Sequence, residues 1–157
     1  MAHIEWSSEL DTGIDPIDKQ HRRLIDYINE LNDAKGKAGS REVVGEVLNE
    51  MVDYTLTHFS FEEELQEEAG YSFAKAHKRV HEMFVKRVGG YMERFKAGED
   101  VAEEVHSMLK RWLVHHIMND DSGYVPDVKR KLGLDGKAAN SGWLSGALGR
   151  FFGGRES

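Results

Sequence analysis

A chain of 157 residues is long enough for one domain with a buried core and too short to suggest two. It has no cysteine, which excludes disulfides, thiolate metal sites, iron–sulfur clusters and a cysteine nucleophile, leaves nitrogen and oxygen as the strong metal ligands, and suits a reducing cytoplasm. Its 28 acidic and 21 basic side chains give a net charge of −7 with the two signs interspersed, which argues against a phosphate-binding surface and a nucleic-acid partner.

The chain opens on an extended arm. Met1 to Trp6 has neither a basic segment nor the apolar run of a secretion signal, and no stretch approaches the roughly 18 apolar residues of a membrane span. Four helices follow, punctuated by Gly, Pro or small polar residues. The first carries Ile17, His21, Leu24, Ile28 and Leu31 and breaks at Gly36 and Gly39. From about Arg41, Val44, Leu48, Met51, Thr55, His58, Glu62 and Leu65 keep the same step as far as Gly70. Phe73, His77, His81, Phe84, Val88, Tyr91 and Phe95 mark the third, which ends near Gly98. Val101, Val105, Leu109, Trp112 and His116 mark the fourth, which fades before Gly123 and Pro126. Alternating steps of four and three form the seam of helices crossing at a shallow angle, and short connections make neighbours antiparallel. The expected fold is all-α, an up-down-up-down four-helix bundle.

Six polar residues interrupt these apolar stripes: His21, His58, Glu62, His77, His81 and His116. A buried ionisable group is costly unless it is paired or bound to a metal. In an antiparallel bundle all six fall at one end, with distances from the opposite loops that differ by one or two helical turns. His58 and Glu62 are four residues apart, as are His77 and His81, so each pair projects from one helix face. Neutral imidazole with carboxylate suits iron, manganese or zinc.

At the end of the fourth helix two pairs share one separation, His115 with Asp120 and His116 with Asp121. Periodicity puts His116 near the centre of the apolar face and His115 at its margin. A regular helix would bring Asp120 nearer that face than Asp121. His3 and His106 fit no motif and are expected on the solvent-exposed surface.

From about residue 4 to 125 the chain resembles the bacterial hemerythrins. The resemblance rests on Trp6, Gly13-Ile14-Asp15, Ile17-Asp18-Lys19-Gln20-His21, Tyr54-Thr55, His58-Phe59, Glu62-Glu63, Gly70-Tyr71, His77, His81, Trp112-Leu113, His116-Ile117, Asp121 and Tyr124. It implies a non-haem di-iron centre in which His77, His81 and His116 bind one iron and His21 and His58 the other. Glu62 and Asp121 would bridge the pair together with an oxo or hydroxo oxygen. The iron with fewer histidines would keep an open position where dioxygen binds and is reduced to the peroxide level. The family's Asp-x-x-Tyr ending, matched by Asp121 and Tyr124, favours Asp121 over Asp120.

Two ferrous ions can each give dioxygen one electron, so reversible binding needs two irons, one vacancy and walls that exclude water and external reductant. Leu24, Phe59, Leu113 and Ile117, beside the histidines or one turn away, are the expected walls of the oxygen pocket. The leading expectation is a dioxygen-binding protein for delivery, storage or sensing. Its rivals are a di-iron oxidase or peroxidase acting on peroxide or nitric oxide, and a sensor whose tail docks a partner. The enzyme reading lacks an extra general acid or base on the core stripes.

The bundle is expected to span 1–134, and 135–157 to form a Gly-rich tail. Trp143, Leu144, Ala147, Leu148, Phe151 and Phe152 fall on one helical stripe, although Gly142, Gly146 and Gly149 each weaken an isolated helix by about 1 kcal/mol. Such a segment folds only against something: its own bundle, a partner protein or cargo-capturing shell, or a membrane surface approached through Lys137, Arg150 and Arg155.

Overall fold

The computed structural model describes residues 3–35, 40–132 and 142–153. An arm with a 3-10 turn at Ser8–Leu10 leads into α1 (Asp15–Ala34), followed by α2 (Ser40–Ala69), α3 (Ala74–Lys96) and α4 (Ala102–His115). Irregular turns then lead to α5 (Val125–Leu132) and α6 (Gly142–Phe152). Pro16 opens the first turn of α1, where a missing N–H costs nothing and its fixed φ suits the helix. Gly70, at φ +69°, closes α2 in the left-handed conformation, and the Tyr71 N–H donates to the Gln66 carbonyl.

Contacts at the helix ends fix the topology. Lys35, after α1, pairs with Glu103 at the start of α4, and Arg41 at the start of α2 donates to the Phe95 and Glu99 carbonyls at the end of α3. One end of the bundle therefore holds the end of α1, the start of α2, the end of α3 and the start of α4, which is an up-down-up-down order. The apolar stripes face inward: Ile17, Leu24, Ile28 and Leu31 meet Val44, Leu48, Met51 and Leu65, with Phe84, Val88, Val105 and Leu109 opposite. Each such side chain contributes about 1.5–3 kcal/mol by leaving water. Among the described residues, no helix is long and apolar enough to cross a membrane.

Three details depart from expectation. Phe73 lies before α3 and is 66% exposed, so the apolar stripe of that helix starts at His77. His106 is fully buried, because α4 buries Ala102, His106, Leu109 and Leu113 as a second stripe beside the one through Val105. His3 is exposed, as expected, and pairs with Asp33 at 2.6 Å.

The third departure is in the backbone after α4. Instead of continuing as an α-helix, residues His116–Asp120 form a π-helical turn and Asp121–Gly123 a 3-10 turn. A π turn closes its hydrogen bond from i to i+5, so it returns a residue five positions on to the starting face.

α6 packs on α2. Ala147 and Phe152 are buried, Phe152 lies against Tyr54 and Phe61, Phe151 meets Phe61, and Arg150 pairs with Glu64. The segment expected to need a docking surface has one on its own bundle. The expected domain boundary at 134/135, Lys137, Arg155 and the side chains of Trp143 and Leu144 lie outside the described residues.

Candidate metal centre

Three helices and the irregular turns after α4 deliver seven ionisable side chains to one end of the core. His21 comes from α1, His58 and Glu62 from α2, His77 and His81 from α3, and His116 and Asp121 from the turn after α4. All seven are at most 5% exposed. His115, by contrast, is exposed, and Asp120 is only half-buried. The π turn explains why the regular-helix expectation for Asp120 fails: the wider turn carries Asp121 round to the face of His116.

The donors form two groups that share both carboxylates, with ligand atoms in each group within 4.8 Å of one another. Glu62 Oε1 stands 2.8 Å from His77 Nε2 and 3.0 Å from His81 Nε2, while its Oε2 stands 3.3 Å from His58 Nε2 and 3.9 Å from His21 Nε2. Asp121 divides in the same way. Its Oδ1 is 3.1 Å from Nε2 of both His77 and His116, and its Oδ2 is 2.9 Å from His21 Nε2. One oxygen of each carboxylate thus serves the group His77, His81 and His116, and the other serves His21 and, for Glu62, His58.

Several of these atoms are not satisfied by one another. Both nitrogens of His21 and both carboxylate oxygens of Asp121 are buried without a hydrogen bond, although His21 and Asp121 approach to 2.9 Å. Close approach without hydrogen-bond alignment is what donors make when they converge on common points between them. His81 Nε2 and His116 Nε2 likewise meet at 3.2 Å, a contact that disfavours charge on both rings. An unpaired buried polar group costs roughly 2–7 kcal/mol, so the cluster needs a guest that accepts several lone pairs at once. Imidazole nitrogen with bridging carboxylate and no sulfur suits a pair of iron ions.

Charge in the metal-free cluster follows the same layout. Burial opposes a charge on His21 and on His77, but Asp121 and Glu62 beside them outweigh it and push both up to about 9. His116 is also raised, against burial, by Asp121 and Asp120. His58 is held down by burial. Despite their own burial, Glu62 and Asp121 are held well below the usual carboxylate range by the surrounding imidazoles.

The rings are held from behind. Phe59 stacks on His81 with centroids 3.7 Å apart, and Trp112 stacks on His116 at 4.4 Å. His58 Nδ1 donates to Gln20 Oε1 at 2.5 Å, His81 Nδ1 to Glu63 at 3.0 Å and His116 Nδ1 to Asp120 at 2.8 Å. The Tyr124 hydroxyl donates to Glu62 Oε2 at 3.2 Å, and burial with the nearby carboxylates raises its pKa, so it stays protonated. Sequence reasoning assigned no role to Gln20, Glu63 or the Tyr124 hydroxyl, and weighed Asp120 only as an alternative to Asp121. The available signal was the position of Gln20 beside His21 and of Glu63 beside Glu62, and the four-residue step from His116 to Asp120.

One turn along the helices from His21, His58 and His116, the bundle holds a partly open cavity of about 20 Å³ lined by Leu24, Met51, Thr55, Phe84, Trp112 and Leu113, among others. Of the four expected pocket residues, Leu24 and Leu113 line it. Phe59 instead forms the plate beneath His81, and Ile117 is buried core outside the lining.

Comparison with known proteins agrees with this architecture. Residues 12–128 match the model of the hemerythrin HHE cation-binding domain. A bacteriohemerythrin of Stenotrophomonas maltophilia is 53% identical over 154 residues, covering 98% of this chain and all of that protein. One from Pseudomonas aeruginosa is 49% identical with the same coverage. A crystal structure of wild-type hemerythrin superposes with a TM-score of 0.76 at 31% identity, covering 81% of this chain and 98% of that one. The chain belongs to the hemerythrin family.

Proposed function

We propose that this protein binds dioxygen reversibly at a pair of iron ions held by His77, His81 and His116 on one side and His21 and His58 on the other, with Glu62 and Asp121 bridging. The observation that supports this most directly is the division of each carboxylate's two oxygens between the two histidine groups. When bound, two ferrous ions supply the two electrons that dioxygen accepts.

The chain's own residues do the rest. Phe59 and Trp112 fix the planes of His81 and His116, so those imidazoles meet the metal already oriented. Tyr124 holds Glu62 by its second oxygen. Leu24, Met51, Phe84 and Leu113 wall the cavity with apolar surface that keeps out water and charged reductants. An apolar groove of about 120 Å³ between α2 and α3 shares Met51, Thr55 and Phe84 with that cavity and continues to the surface at Leu56 and Val85, a path suited to an uncharged diatomic.

The same cavity supports a binding protein over an oxidase or peroxidase, since its lining of mostly apolar side chains offers no general acid or base. Delivery, storage and sensing all remain roles this chemistry serves. In this reading α6 buttresses the helix that carries His58 and Glu62. Stopped-flow mixing of the diferrous protein with dioxygen tests the proposal: a stable oxy spectrum that reverses under vacuum is expected, and bleaching with consumption of peroxide contradicts it.

A further inference from the structure

The two halves of the cluster differ in what stands behind their histidines. On the three-histidine side, His81 donates through Nδ1 to Glu63 and His116 to Asp120. On the two-histidine side, His58 donates to the neutral amide of Gln20, and His21 Nδ1 is buried without a partner. Apart from Glu62 and Asp121, no carboxylate among the described residues pairs with His21, His58 or His77. Two negative charges therefore back one metal position and none backs the other.

The asymmetry follows from local structure. Glu63 is the next residue after Glu62 on α2, so it faces away from the shared centre and reaches the outer edge of His81. The π turn that brings Asp121 inward leaves Asp120 four residues from His116, behind the ring. Gln20 precedes His21 on α1 and is fully buried, where a carboxylate would have to be held without water. Glu63 and Asp120 are about a quarter and a third exposed, so their charges keep contact with solvent.

We propose that Glu63 and Asp120 are positioning residues that bias ferric charge toward the three-histidine position. An imidazole that donates its free N–H to a carboxylate is a stronger base and a better donor to the metal, and an anion a few ångströms behind it stabilises the higher oxidation state. Gln20 orients His58 without adding charge. This inference rests on the di-iron reading above.

The test uses the full-length, iron-loaded protein and a mediated redox titration followed by absorbance. Glu63→Gln and Asp120→Asn keep shape and hydrogen bonding and remove charge. Each is expected to raise the midpoint potential, and the double variant to raise it further. Gln20→Met, which removes a neutral acceptor, is expected to move it less than either. Competition with a chromogenic chelator on the metal-free proteins is expected to show about a 10- to 100-fold loss of Zn(II) affinity in the two charge-removing variants. A potential that does not rise in either variant, or that rises as much in Gln20→Met, overturns the inference. A wild-type chain that holds no pair of irons overturns the proposed function and this inference together; two irons with unmoved potentials overturn this inference alone.

Discussion

Metal loading of the metal-free protein at about pH 7.5 is expected to expel protons, and the number follows from the cluster. His21 and His77, both pushed up to about 9, and His116, raised as well, are protonated at that pH, each opposite Glu62 or Asp121. An imidazolium has no lone pair at the nitrogen facing the metal, so these three rings must lose a proton to become ligands. Imidazole alone then releases about three protons per chain, and the apparent affinity for the metal pair falls about 1,000-fold for each pH unit below that range. Anaerobic calorimetric titration with Zn(II), in buffers of different ionisation heat, counts the protons directly. Release of less than one proton per chain would refute the reasoning, because it would mean that the cluster holds its imidazoles neutral in the absence of metal.

The same pairs make the metal-free protein pH-sensitive. A raised histidine pKa contributes stability that is complete below about 6.5 and lost as pH rises through about 9, so the melting temperature of the metal-free chain should fall across that window while the loaded chain stays level. Tyr124→Phe removes the donor to Glu62 and should cost about 1.5–3 kcal/mol in denaturant unfolding, with the fold retained by circular dichroism. Inserting an alanine after Asn119, an exposed residue within the π turn, puts Asp121 six residues from His116, a spacing that neither a π nor an α turn returns to one face, and should lower metal content below two ions per chain. Phe152→Ala opens a cavity between α6 and α2 and should cost about 3–5 kcal/mol; a loss below 1 kcal/mol would show that α6 does not brace the bundle.

The parts of this fold legible in the sequence are those governed by helical periodicity. Ile17, His21, Leu24, Ile28 and Leu31 repeat on one face, and they are buried on one face. A histidine in such a stripe announces itself because burial of an unpaired polar group is so costly. Periodicity fails where the backbone leaves the α-helix: nothing in His-Ile-Met-Asn-Asp marks a π turn, so a regular wheel points to Asp120, and only the likeness to a known ending favoured Asp121. It fails also where a helix buries two stripes, as α4 does at His106, because one seam read at a time leaves the flank assigned to solvent. The residues behind the imidazoles are invisible for a third reason. Gln20 and Glu63 act across helices, where the sequence order does not say which ring each will reach, and Asp120 is set behind His116, four residues away, by the π turn that the sequence does not mark. Docking of α6 lay between these cases: its apolar stripe required a partner surface, and only the tertiary structure shows Tyr54 and Phe61 of α2 as that surface.

The most direct test of the central claim is iron analysis of the purified protein together with its absorption spectrum, repeated for Glu62→Gln and Asp121→Asn. Two irons per chain with an oxo-bridged diferric spectrum, lost in both variants, is the predicted result. A single iron per chain, or a pair that survives removal of either shared carboxylate unchanged, would contradict it.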